Sequence, residues 1–142
     1  MTTGSLRTLR RLRHHACEDA RLALVACIAM EDTAQAALKA AERAIRREQE
    51  EASRIDASDG AVEAFARWLP RGRQAVSDAT GALERAEAAT AQARAVLAAA
   101  RASLKAAETL ATERERQSQA EAARREQAAL DEAAGRRRET FD

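Results

Sequence analysis

The chain has 142 residues, enough for one domain, and a net charge of +1 from 24 basic and 23 acidic side chains. Alanine makes up roughly a quarter of it, aromatic residues only 2% and charged residues 33%. This excludes a globular core of large apolar side chains, because alanine buries too little surface at about 0.8 kcal/mol per CH₂. The near balance of charge argues against a dedicated nucleic-acid binder and against a disordered polyelectrolyte. What remains is a chain of long helices or coiled coils.

The first segment, Met1-Thr2-Thr3-Gly4-Ser5, leads into arginines with no uninterrupted apolar stretch of the secretory kind. A helix is predicted from about Leu6 to Ile55. Its seam can be traced through Leu9, Leu12, Ala16, Ala20, Ala23, Cys27, Met30, Ala34, Leu38, Ala41, Ile45, Glu48, Ala52 and Ile55. Steps of three and four mostly alternate. Two successive fours, Met30 to Ala34 to Leu38, resemble a stutter that unwinds the supercoil locally. Within this helix Leu22 to Met30 is apolar, but a membrane span needs about twenty residues. Cys17 and Cys27 lie about 15 Å apart along the axis, too far for a disulfide, so both read as free thiols suited to a reducing cytoplasm.

Residues 56–60 form the predicted turn, in the cluster from Arg54 to Gly60, with Ser58 or Asp59 as the cap of a second helix over about 61–138. Its seam is regular. Val62, Phe65, Leu69, Gly72, Val76, Ala79, Leu83, Ala86, Thr90, Ala93, Leu97, Ala100, Leu104, Ala107 and Ala111 alternate threes and fours for about seven heptads. Every second core position is small, mostly alanine. That suits close approach in an antiparallel, intramolecular pair. Pro70 interrupts the pattern: either the helix kinks there, or Val62–Leu69 is a short separate helix and Pro70 opens its successor.

After Ala111 the seam fades, while Glu121/Arg125 and Glu132/Arg136 keep helical i,i+4 pairing. The second helix therefore overshoots the first by some twenty-five residues, roughly 35 to 40 Å. The predicted fold is all-α: a long two-helix antiparallel coiled-coil hairpin with an overhanging C-terminal helix, in one domain. Arg7, Arg10, Arg11 and Arg13 share a pole with Arg124, Arg125, Arg136, Arg137 and Arg138. Such a basic pole either docks on an acidic protein surface or is a set of solvated helix arginines.

No catalytic pattern is legible. His14 and His15 point about 100° apart on a helix, and His14 with Cys17 offers two ligands where structural zinc takes four. The glycines form no phosphate loop, and the carboxylates lie near arginines as solvated ion pairs. The expectation is a non-enzymatic protein-binding chain without cofactor, metal or nucleic acid.

Three segments carry a resemblance. They are Leu9-Arg10-Arg11-Leu12-Arg13 followed by Glu18-Asp19-Ala20-Arg21-Leu22-Ala23, then Phe65-Ala66-Arg67-Trp68-Leu69, and the closing Glu126-Gln127-Ala128-Ala129-Leu130-Asp131-Glu132-Ala133-Ala134-Gly135-Arg136. Together they resemble the FliJ family of the bacterial flagellar type III export apparatus. The resemblance covers nearly the whole chain.

It implies an antiparallel two-helix coiled coil similar to the central stalk subunit of rotary ATPases. It further implies a terminal pole inserted into the hexameric export ATPase, contact with the export gate membrane protein, and traffic with export chaperones. Such a protein would be cytoplasmic, held at the inner membrane through its partners. By the same resemblance Arg10, Arg11, Arg13, Leu130, Asp131, Glu132 and Arg136 would lie at the ATPase end. Phe65, Leu69, Gly72 and Val76 would form a gate-facing stripe, although Phe65 reads equally well as a core residue. The injectisome counterpart shares this geometry, and the closing signature favours the flagellum. A generic coiled-coil scaffold is the alternative outside the family.

Overall fold

The computed structural model describes residues 2–141, and they form two helices that pack against each other as a helical hairpin. Helix α1 runs Thr3–Ala52 and helix α2 runs Asp59–Phe141. Alanine, leucine, arginine and glutamate, the best helix formers, fill both. Thr2 caps α1, its Oγ1 accepting the Ser5 N–H at 3.2 Å. Ser58 caps α2, its Oγ accepting the Ala61 N–H at 3.3 Å. Asp59 stands in the first turn, where the helix dipole favours a carboxylate. Both helices begin a few residues earlier than the sequence pattern suggests. The connection is correspondingly earlier, and Ile55 is a fully solvent-exposed turn residue instead of a seam residue.

In α2 the expected seam is the observed one over most of its length. Leu83, Thr90, Leu97 and Ala107 are buried, and Phe65, Leu69, Val76, Ala79, Ala86, Ala93, Ala100, Leu104 and Ala111 are half-buried. Val62, beside the turn, is exposed. Thr90 is the most deeply buried side chain, and its hydroxyl donates to the Ala86 carbonyl at 3.1 Å, so no polar group is left unpaired in the seam. Helix α2 runs through Pro70 as one element, not as two helices. Pro70 and Ala66 both face solvent. The Ala66 carbonyl, which loses its helical donor to the proline, is left to water.

The seam of α1 departs from the sequence tracing. Leu6, Leu9, Arg13, Cys17, Ala20, Leu24, Cys27, Glu31, Ala34, Leu38, Ala41, Ile45 and Ala52 turn inward. Leu12, Ala16, Ala23, Met30 and Glu48 are exposed. Threes and fours alternate without a break from Cys17 to Ile45, so there is no stutter at Met30. The two successive fours fall earlier, at Leu9, Arg13 and Cys17. Two charged residues hold core positions, Arg13 and Glu31. Both are half-buried, as long charged side chains are when their stems cover apolar surface and their ends stay in water.

The residues divide into two compact units. One, the terminal unit, comprises the chain through Cys17 with the chain from Ala99 onward; the other, the middle unit, is Glu18–Ala98. In the middle unit Gly72 marks the close approach of the helices. A Cβ built there would sit 3.2 Å from Cγ1 of Ile45 on α1, and 2.6 Å from the Trp68 ring. Trp68 lies across the glycine where any other residue would displace it. Gly81 is different, because its Cβ would meet only the mobile end of Arg85, at 3.3 Å.

Gly72→Ala should lower the melting temperature and shift the emission of the single tryptophan to the red, although alanine is the better helix former. Gly81→Ala should stabilise by about 1 kcal/mol, in line with helix propensity. Thermal melts with tryptophan fluorescence check both. Ala93→Leu should wedge the close-packed seam apart and cost roughly 1 to 3 kcal/mol. An unchanged melting temperature would contradict close packing there.

Candidate partner-binding surfaces

In the terminal unit the start of α1 lies against α2 in antiparallel sense. Thr3, Leu6, Arg7 and Arg10 share a groove with Ala111, Arg114, Ser118 and Gln119. On another side Arg7, Arg10, Arg11 and His14 share one with Leu104 and Glu108. Arg10 and Arg11 are exposed, whereas Arg13 is half-buried in the seam. The early arginines therefore split between two grooves and the core.

Burial on α2 stops at Ala111. Every residue from Thr112 to Phe141 is exposed. At 1.5 Å per residue this stretch is about 45 Å long. Nothing in it is held by a core. It is stabilised by its own neighbours: Arg116 with Glu113 at 3.7 Å, Arg125 with Glu121 at 3.5 Å, and Arg136 with Glu132. Gln119 donates to Glu115 and Gln127 donates to Asp131. Exposed pairs of this kind contribute only about 0.2 to 0.5 kcal/mol each.

The candidate residues Leu130, Asp131, Glu132 and Arg136 all lie on this stretch and are exposed. Leu130 is 59% and Phe141 is 90% exposed, and nothing among the described residues covers either side chain. Phe141 carries no periodic pattern in the sequence, which is why it escapes a reading based on the seam.

In the middle unit Phe65, Leu69, Gly72 and Val76 follow the inward line of α2. Gly72 is buried and the other three are half-buried. Phe65 stacks on Trp68, with ring centroids 6.3 Å apart and planes at 28°. Both rings line a cleft by the turn with Glu48, Glu51, Ala52 and Ala61. These residues form part of the hairpin's packing, and only their outer edges reach solvent.

Among the described residues no group of three His, Cys, Asp or Glu side chains converges as a metal site, and no helix is long and apolar enough to cross a membrane. Cys17 is buried and Cys27 half-buried, both as free thiols. His14 and His15 are exposed, with ring centroids 6.4 Å apart.

No curated protein and no solved structure matches the chain. The family model described as Flagellar FliJ protein matches residues 2–139, nearly the entire length. With two packed helices, a close-packed seam and an exposed continuation of α2, the chain belongs to the FliJ family of flagellar export proteins.

Proposed function

We propose that the chain is a non-enzymatic stalk of the flagellar type III export apparatus. Its terminal unit enters the hexameric export ATPase, and its middle unit faces the export gate. The observation that carries this reading is the exposed stretch from Thr112 to Phe141. A helix that buries nothing adds little to the stability of its own fold, since isolated polar helices are marginal in water. It has a purpose when a partner surrounds it. A ring pore surrounds a single helix on all sides, and this stretch is exposed on all sides.

Within this reading Leu130 supplies an apolar contact, and Asp131, Glu132 and Arg136 supply charged ones. Arg10 and Arg11 extend the contact onto α1, and Arg13 acts from the seam edge. Contact with the cytoplasmic part of the gate membrane protein falls to the outer edges of Phe65, Leu69 and Val76, with Gly72 keeping the helices close beneath them. Export chaperones are further partners. The protein is cytoplasmic in this reading and reaches the inner membrane through its partners. The flagellar description of the matching family favours the flagellum over the injectisome.

Removing residues 112–142 should leave the remaining hairpin helical by circular dichroism. It should abolish the chain's stimulation of ATPase activity and of hexamer assembly in the cognate export ATPase. Equal stimulation by the shortened chain would remove the overhang from the mechanism. Phe65→Ala should cost about 2 kcal/mol of stability, less than a fully buried phenylalanine, and should also weaken capture of the gate protein's cytoplasmic part. Weakened capture without any thermal effect would assign Phe65 to the gate alone; a thermal effect without weakened capture would assign it to packing alone.

A further inference from the structure

Helix α1 carries a second apolar face that the hairpin does not use. It lies in the middle unit, turned away from the seam. Leu22 is 69% and Met30 67% exposed. Residues seven apart share one line along a coiled-coil helix. Asp19, Ala26, Thr33, Ala40 and Arg47 form such a line, and all five are exposed. On one side of it runs the line of Ala23, Met30 and Ala37; on the other runs that of Leu22, Ala29, Ala36 and Arg43, all exposed. Between Ala20 and Arg43 the charged residues are Arg21, Glu31, Asp32, Lys39 and Glu42, and none falls on any of these three lines. The result is an uncharged face about 30 Å long. Its one polar side chain, Thr33, already donates its hydroxyl to the Ala29 carbonyl at 3.0 Å. Covering it leaves no donor unpaired.

We propose that this face joins two copies of the chain, α1 against α1, antiparallel about a twofold axis at Thr33. The face is complementary to itself in that register and carries its own ends. Asp19 of each copy meets Arg47 of the other, so opposite charges close both limits of the contact. Ala26 meets Ala40, and Thr33 meets its own copy. On the flanking lines Met30 fits against Ala37, large against small, and Leu22 lies along the methylene stem of Arg43. In a twofold contact residue i meets j and j meets i, and every layer here satisfies that rule with no like charges opposed. Because most layers are alanine, the contact falls at the small end of specific interfaces. The dimer is therefore weak and concentration-dependent.

The test is sedimentation equilibrium of the full chain from about 1 µM to about 1 mM, a range that brackets weak protein association. The wild-type chain should dimerise within it. Thr33→Glu sets two carboxylates against each other at the axis and should leave only monomer. Asp19→Arg alone and Arg47→Asp alone should each weaken the dimer about tenfold, while the double swap should restore it. All three positions are exposed, and circular dichroism melts establish that each of the four variants keeps its fold. A chain monomeric throughout would overturn the proposal, and would leave the face to a helix of another protein. A dimer indifferent to Thr33→Glu, or a double swap as weak as its parents, would overturn it equally.

Discussion

Alanine in a helix seam buries little, so two helices can hold together through it only if their backbones come close. Helix α2 places a small residue at every second core layer from Gly72 to Ala107, with Val, Leu or Thr between. Gly72, with Ile45 Cγ1 3.2 Å from where its Cβ would stand, shows how tight the approach becomes. The stability of the hairpin then comes from many thin layers rather than from a few large ones. Each layer adds little, and length supplies the rest. A long seam is for that reason a requirement of this composition, and any residue that props the helices apart damages several layers at once.

The same constraint explains where the fold ends. Beyond Ala111 the small and large layers cease, and α2 continues for thirty described residues on propensity and local ion pairs alone. The chain thus divides its labour along one helix. The paired part is held by packing, which is insensitive to salt. The exposed part is held by interactions of a few tenths of a kcal/mol that salt screens. A partner that covers the exposed part contributes burial which the chain itself lacks.

Much of this was legible in the sequence, and the misreadings have a physical source. The seam of α2 is legible because a Val, Leu or Thr returns every seven residues from Val62 to Leu104, with small residues between. Helix α1 offers two lines one residue apart. Ala16, Ala23 and Met30 compete with Cys17, Leu24 and Glu31, and the second line carries a carboxylate. A reading that seeks apolar residues takes the first. The structure uses the second: both lines share Ala20, Cys27 and Leu38, but the second adds Leu6, Cys17 and Leu24, and a half-buried glutamate is tolerated at a seam edge. The displaced line is what leaves Met30 exposed. Pro70 left a kink or a break open in the sequence; facing solvent, it lies inside one continuous helix, so the break does not occur. The candidate residues at the C-terminal end were legible through likeness to a family, not through periodicity, since that stretch has no seam to read. Phe141 lay beyond both signals.

Hydrogen exchange resolved along the chain, with and without the hexameric export ATPase, tests the central claim most directly. The account predicts slow exchange in the paired segments through Ala111, fast exchange from Thr112 to Phe141 in the free protein, and strong protection of that stretch alone when the ATPase is present. Slow exchange there in the free protein, or protection by the ATPase confined to the paired segments, would contradict it.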